Sequence, residues 1–460
     1  MQKVMETQTM KVDSALPVDV GLIIDEGQWT IFQKALLVLV SLAFIVDSLA
    51  NNVLSVAIPA MIRDWHANRA DFSKVVALGW VAVAVGTILA GWLADKFGRK
   101  PVLVASILTF GLATAFGALI NDIHQLLILR VIDGIGIGGA IPIATTLLAE
   151  FTPARRRSRA VIAGMICIPL GVFLGGIIGS FVLPNFGWRS LFAINGALAI
   201  LVCVVLQVFM PESPRFLALK PNRRDELRRS LKRLKIEVAP DARWVEADTS
   251  RNGASLDALF GPASRRMTLG LWGGFFFCFM ASYTSLNWMP AMLSSHGYGL
   301  GFSSLALSAS GAGGILASVV MSKLVELFGS RIALFFPTLA AILSVSALVI
   351  IPLDPARNSV HVLLAIGVLG MSLNSMTCLA YSLCASVYPP LVKGAGLGSA
   401  GAIGRIGAIA SSYSAIAVLA IGSTAFFVFI AASALVSMVF LATIKRQIPN
   451  DRMFVSRKLR

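Results

Sequence analysis

Gly91-Trp92-Leu93-Ala94-Asp95-Lys96-Phe97-Gly98-Arg99-Lys100 is a short charged turn between two apolar runs, each long enough to cross a membrane. Gly98 lets the chain reverse, because a residue without a Cβ enters backbone regions closed to the others. Asp95 stands in the last turn of the preceding helix, and Arg99 and Lys100 hold the turn on the side of the bilayer that retains positive loops. The stretch therefore reads as a cytoplasmic hinge, and the fold follows from what flanks it.

Outward from the hinge, runs of about 20 apolar residues recur, each sufficient for roughly 30 Å of hydrocarbon. With 57% hydrophobic and 13% charged residues among 460, the chain has more continuous apolar sequence than a water-soluble core uses. The formal net charge of +16 does not indicate nucleic acid, because the Lys and Arg residues alternate between loops instead of forming one patch. Residues 1–33 lack the charged, apolar and cleavage regions of a secretory signal, so the first helix is expected to insert by itself. Cys167, Cys203, Cys278, Cys378 and Cys384 lie in apolar runs and are expected as free thiols. His66, His124, His296 and His361 map to non-cytoplasmic ends; no spacing suggests a metal, and no cofactor is expected.

The apolar pattern predicts helices over about 35–59, 74–94, 101–120, 126–149, 159–183 and 190–210, then 268–294, 303–328, 332–352, 360–386, 395–421 and 424–444. The expected fold is an all-α integral membrane protein, with twelve transmembrane helices in two pseudo-symmetric six-helix bundles. Residues 1–33 form a cytoplasmic N-terminal segment, 34–210 the first bundle, 211–266 a central cytoplasmic loop, 267–444 the second bundle and 445–460 a basic tail. Positive loops place both termini on the cytoplasmic face of the cell inner membrane. In the central loop, Asp225 to Leu234 carries leucines at helical spacing and predicts an amphipathic helix on the membrane surface, its basic face meeting anionic headgroups or a partner protein. Residues 240–262 read as a mobile linker. Ser322 to Arg331 aligns with Gly91 to Lys100, pairing Glu326 with Asp95 and Gly329 with Gly98, as internal duplication predicts.

An ionisable group near the bilayer centre costs about 2.5–3.5 kcal/mol on insertion scales, so each is a functional candidate. Asp47 lies roughly 18 Å into helix 1 and Arg405 roughly 15 Å into helix 11. A carboxylate in low dielectric can exchange a proton, whereas a guanidinium stays charged and binds a carboxylate in two-point fashion. Those properties suit proton-coupled uptake of an organic anion; alternatively Asp47 and Arg405 pair with each other and hold the halves together. Asn51, one turn from Asp47, widens the polar face. In helix 4, Arg130, Asp133, Gly134, Gly136, Gly138 and Gly139 mimic a dinucleotide loop, but no strand precedes them. Close helix packing, with Arg130, Gly134 and Gly138 structural, is the simpler reading; a proton-relay role for Asp133 is the sharper one. Gly171, Gly175 and Gly179 give helix 5 a face of small residues. Tyr283, Asn287, Trp288, Asn374 and Tyr381 are aromatic and amide candidates for a planar substrate, although Trp288 also suits an interfacial belt.

The G-x-L-x-D-x-x-G-R-K spacing at Gly91, Asp95, Gly98 and Arg99 resembles the loop between helices 2 and 3 of the major facilitator superfamily, and R-x-x-D-G at Arg130 its helix 4 signature. Glu150-Phe151-Thr152-Pro153-Ala154-Arg155-Arg156-Arg157 and Pro211-Glu212-Ser213-Pro214-Arg215 resemble signatures shared by sugar porters and metabolite:proton symporters. The resemblance implies a cytoplasmic gate in which Glu150 and Glu212 pair with Arg99, Arg157 or Arg215 when the cytoplasmic side is shut. Taken with Asp47, the Tyr283 to Pro290 pattern and Gly404-Arg405-Ile406-Gly407, the chain looks most like the aromatic acid:proton symporters. It departs from them in showing Asp47-Ser48-Leu49-Ala50 where a second helix 1 carboxylate is usual, and Pro142-Ile143 in helix 4. Gly175-Gly176 replaces the Gly-Pro of many drug antiporters. The resemblance implies a monomeric importer of a small aromatic carboxylate with protons, with an aliphatic acid, a sugar or export as alternatives, and a non-transporting sensor beyond those. No nucleophile and base pair suggests an enzyme.

Overall fold

The computed structural model describes residues 10–12, 18–238, 244–245, 259–261, 264–388, 392–444 and 447–448. Within them, eleven apolar helical stretches are long enough to cross a membrane. The longest, 56 residues over Ala154–Phe209, is two helices meeting at Gly187, whose φ of 76° lies outside any helix. The spans are thus α1 (Ile31–Trp65), α2 (Arg69–Phe97), α3 (Arg99–Leu119), α4 (Ile123–Phe151), α5 (154–186) and α6 (188–209). They continue as α7 (Arg265–Ser295), α8 (Leu300–Phe328), α9 (Ser330–Ile350), α10 (Ser359–Val387), α11 (Lys393–Ile421) and α12 (Ser423–Ala442). The all-α, twelve-span architecture expected from the hinge is the one the chain adopts.

Helix α1 runs past its hydropathic limit, and a polar cap closes its start. At the start of α1, Thr30 and Gln33 form a reciprocal capping box: the Thr30 N–H donates to Gln33 Oε1 at 2.7 Å and the Gln33 N–H to Thr30 Oγ1 at 3.3 Å. Gln33 also donates through Nε2 to the Phe151 carbonyl at 2.7 Å, tying the start of α1 to the end of α4. In α4 the glycines act as packing surfaces. A Cβ at Gly138 would stand 2.2 Å from the Val83 carbonyl of α2, and one at Gly136 2.7 Å from the Ser106 carbonyl of α3. Backbones meet there without side chains between them, as helices in lipid pack.

Spans α1–α6 and α7–α12 form the two bundles. Along α5 and α8 they touch from Ser180 and Gly301, through Gly176 and Ser308, to Pro169 and Gly314. Ser55 donates to Asn287 Oδ1 at 3.0 Å and Arg63 to Ser294 at 2.9 Å, both across the bundles. These contacts lie toward the end away from the basic loops at Lys96–Lys100 and Arg155–Arg159. On α11, Gly394, Gly398, Gly401, Arg405 and Ser412 share one face at helical spacing. Ser412 is buried, whereas nothing lies within 4 Å of where a Cβ would stand at the three glycines. Gly91, at the matching end of α2, is open in the same way. The bundles therefore close at one end and part at the basic end.

Outside the bilayer, Val18–Asp19 pairs with Trp244–Val245 and Met10–Val12 with Ile236–Val238, both in parallel, so the N-terminal segment lies against the central loop. The expected amphipathic helix is present at Arg224–Arg233, but its placement on the membrane surface is corrected. Leu227 and Leu231 are buried in the protein core, leaving the basic side chains outside. Neighbouring protein provides the apolar surface that these leucines meet. Of the linker expected over 240–262, residues 240–243, 246–258 and 262 lie outside the described residues, as does the basic tail apart from 447–448.

Candidate functional site

Helix α1 carries Asp47 into the interior, 1% exposed, with Oδ1 accepting no hydrogen bond among the described residues. No cation stands within ion-pair distance of it, and the Asp47–Arg405 pair weighed from sequence does not form among the described salt bridges. The neighbouring carboxylate, Asp133 on α4, lies within electrostatic reach. Asp133 is partnered: it forms an ion pair with Arg130 one helical turn earlier and accepts from Thr114 Oγ1 at 3.4 Å. Arg130 also donates to the Asn51 carbonyl at 3.3 Å, so Asn51 contributes its backbone to this cluster. Gly79 on α2 makes room for Arg130, since a Cβ there would lie 2.9 Å from its Cγ.

Across the bundle interface, Tyr283 of α7 lies within electrostatic reach of both Asp47 and Arg405. Tyr381 of α10 also lies within electrostatic reach of Arg405. The rings of Tyr283 and Tyr381 are joined through Phe279, with centroids 5.6 Å and 6.4 Å away, and Phe275 stands edge-on to Tyr381 at 4.9 Å. Arg405, half-buried, has neither an ion pair nor a hydrogen bond among the described residues. Tyr381 keeps 39% of its surface exposed while packed against these rings, as a residue lining a cleft does. A cation, two phenols and a phenylalanine thus face the cleft that opens at the basic end, opposite an unpartnered carboxyl group.

Other candidates lie elsewhere. Asn374 donates to the Gly314 carbonyl at 2.7 Å and joins α10 to α8. Asn287 accepts from Ser55 and has its Nδ2 unpartnered. Trp288 is fully buried among core residues, so neither a place in an interfacial belt nor a cleft-lining position describes it. It points to the opposite side of α7 from Tyr283, which periodicity alone does not assign to core or lipid.

At the basic end, the hinge is built around Gly98, whose φ of 109° requires glycine and whose absent Cβ would meet Glu212 Oε2 at 2.2 Å. Glu212 Oε1 accepts the backbone N–H groups of Arg99, Lys100 and Ser213 at 2.9, 3.1 and 2.8 Å. This carboxylate caps the positive N-terminus of α3. Arg99 pairs with Asp95 at 3.3 Å and with Glu150 at 3.6 Å, while Ser213 Oγ donates to Glu150. With the basic end parted, Glu212 forms no ion pair with an arginine among the described salt bridges, and its Oε1 is taken by the helix N-terminus. Arg157 and Arg215 turn instead to Asp25 of the short helix Val20–Glu26.

A family model described as the Major Facilitator Superfamily matches residues 40–412, from α1 into α11. The chain belongs to the Major Facilitator Superfamily. As a member it is a multi-pass membrane transporter of small solutes and not an enzyme, and it is similar to aromatic acid transporters. It is 30% identical over 311 residues to the gallate transporter of Pseudomonas putida, covering 67% of this chain and 69% of that protein. The 4-hydroxybenzoate transporter PcaK of Pseudomonas putida is 28% identical over 396 residues, covering 84% and 87%. Among solved structures, the inward open conformation of the xylose transporter XylE from E. coli superposes with a TM-score of 0.70 at 17% identity, covering 90% of this chain and 97% of that one. That likeness establishes the superfamily fold.

Five residues of this superfamily member carry geometry that sequence reasoning did not single out: Trp80, Thr114, Phe279, Ser213 and Asp25. Phe279 stands one turn before Tyr283, and Trp80 shares a helical stripe with Gly91, so periodicity offered a signal for both. Asp25 offered none, because its partners are 132 and 190 residues away along the chain.

Proposed function

We propose that this chain imports a small aromatic carboxylate together with protons by alternating access, across the bacterial inner membrane with both termini in the cytoplasm. The observation that carries the reading is the presence of two unpartnered opposite charges on the two sides of the bundle interface. Among the described residues Asp47 has no cationic partner and Arg405 no anionic one, and Tyr283 lies within electrostatic reach of both. An incoming carboxylate supplies the anion that Arg405 lacks, and its guanidinium fork suits two-point binding. The rings of Tyr283, Phe279 and Tyr381 offer apolar faces beside that cation for a planar substrate. A proton on Asp47 removes the charge that would repel the substrate's own carboxylate. Asp133, already neutralised by Arg130, sets the field around Asp47 and acts as a secondary relay.

The Asp95, Arg99, Glu150 and Glu212 cluster would gate the basic end, with Arg157 and Arg215 held through Asp25. Such pairs are weak one by one, and they bias a state only by forming in one and not the other. Supporting the substrate class, the gallate and 4-hydroxybenzoate transporters named above are so described. The chain is taken to work as a monomer, since each bundle pair holds a complete set of these groups.

The test is uptake of labelled 4-hydroxybenzoate and related acids into proteoliposomes, with and without an inward proton gradient. Wild type is expected to accumulate one of these acids only with the gradient, and Asp47→Asn to lose that accumulation. Arg405→Lys is expected to reduce uptake by about tenfold or more, because a point charge does not replace the guanidinium fork. Gradient-driven accumulation by Asp47→Asn at the wild-type level would remove Asp47 from coupling. Failure of every aromatic acid in wild type would remove the substrate class.

A further inference from the structure

Trp80 is 6% exposed on α2, on the stripe it shares with Gly91 eleven residues further along. At Gly91 the stripe faces open space. At Trp80 it is closed by Tyr283 of α7, the ring centroids 4.2 Å apart at an angle of 59°. Among the described ring contacts this pair alone joins the two bundles. It marks the level at which the cleft ends.

Trp80 also stands between the two charge systems. Its neighbour Gly79 lies against the Arg130 side chain, which pairs with Asp133 and reaches the Asn51 carbonyl one turn from Asp47. On its other side Tyr283 leads to Phe279 and into reach of Arg405. Beyond it, toward the closed end, the bundles are joined by the packing of α5 on α8 and by the hydrogen bonds of Ser55 to Asn287, Arg63 to Ser294 and Ser308 to the Phe173 carbonyl. Of these links the ring contact is the one that borders the cleft, and a substrate ring beside Tyr283 would bear directly on it.

We infer that Trp80 is a positioning residue which, through Tyr283, holds the non-basic side of the site shut and must part from that ring before the site opens there. The inference rests on the alternating-access reading above. Trp80 itself binds neither proton nor carboxylate. Its ring sets where Tyr283 stands, and so links occupancy of the cleft to the seal on its far side.

Thr284 provides the reporter. It is fully buried on the α7 face that bears Asn287, and its hydroxyl has no partner, so Thr284→Cys breaks no hydrogen bond. The cysteine is probed in whole cells with a membrane-impermeant maleimide, against a parent lacking it, beside Trp80→Ala, Trp80→Leu and Trp80→Phe. Both non-aromatic variants are expected to speed labelling by about fivefold, and Phe to stay within about twofold of wild type, because a population shift toward the open state follows loss of the ring contact. Leu retains apolar bulk and carries the test if the Ala variant does not reach the membrane. Unchanged labelling in Leu, or labelling in Phe as fast as in Leu, overturns the proposal. Labelling needs no substrate, so it reads the seal even if every aromatic acid fails as cargo. With a transported acid in hand, the same series should lower the maximal rate more than the apparent affinity, with recovery in Phe.

Discussion

The two hinges of this molecule have the same backbone and different chemistry. Gly98 and Gly329 adopt φ, ψ of 109°, 162° and 77°, 163°, and each N–H returns to the carbonyl four residues back, at 3.0 Å to Ala94 and 2.8 Å to Val325. In both, the helix that follows is capped by chain lying just beyond the sixth span of its own bundle. The first cap is a carboxylate, Glu212, buried and accepting three backbone N–H groups. The second is neutral: the Ser330 N–H donates to the Ile448 carbonyl at 3.0 Å, the Ile448 N–H to Ser330 Oγ at 2.8 Å, and Ser330 Oγ to Gln447 Oε1 at 2.7 Å. Duplication preserved the shape of the reversal, for which a glycine and any cap suffice. Charge, and with it the means to respond to a partner's charge, is concentrated in the first copy.

The largest effect is expected at the glycines. Gly98→Ala puts a methyl group 2.2 Å from a buried carboxylate oxygen as well as into a disallowed backbone region, and should lower uptake or membrane yield by about tenfold or more. Gly329→Ala meets the same kind of backbone strain beside a neutral cap and should retain more activity; equal loss in side-by-side uptake assays would mean the reversal matters and the cap does not. Next, Glu212→Gln should cost about 1–3 kcal/mol, read as a lower unfolding temperature in detergent, because charged acceptors make the stronger hydrogen bonds. Gln447→Ala should cost roughly 0.5–1.5 kcal/mol in the same assay, as a neutral bond does. A larger fall for Gln447→Ala would reverse the comparison. Smallest is Asp95→Asn: with Asp95 69% exposed in its pair with Arg99, the change in stability should stay below about 1 kcal/mol and vanish in high salt. A salt-independent loss of transport would instead assign Asp95 a role in the moving state.

Much of this was legible beforehand for a physical reason. A spanning helix must satisfy its own backbone, so apolar length alone marks each one, and the Gly98 turn marks the side on which the chain reverses. Asp47 and Arg405 were legible because buried charge in an apolar run is costly enough to need a purpose. Trp288 was not, since an aromatic residue near the end of a span suits belt, cleft or core equally until its neighbours are known. The Asp225 to Leu234 segment shows the same limit: its leucine stripe announced an apolar partner, and lipid and protein satisfy that demand alike.

By itself the sequence determined the twelve spans, their division into two related bundles, and the charges that had to be explained, because each depends on local composition set against the dielectric of a membrane. Tertiary structure alone decided that Glu212 caps a helix while Asp25 takes the arginines, that Asp133 is paired while Asp47 is not, and that Trp80 meets Tyr283 across the interface. Those outcomes depend on which groups come within hydrogen-bonding reach first, and groups up to 203 residues apart in sequence meet only once the bundles pack.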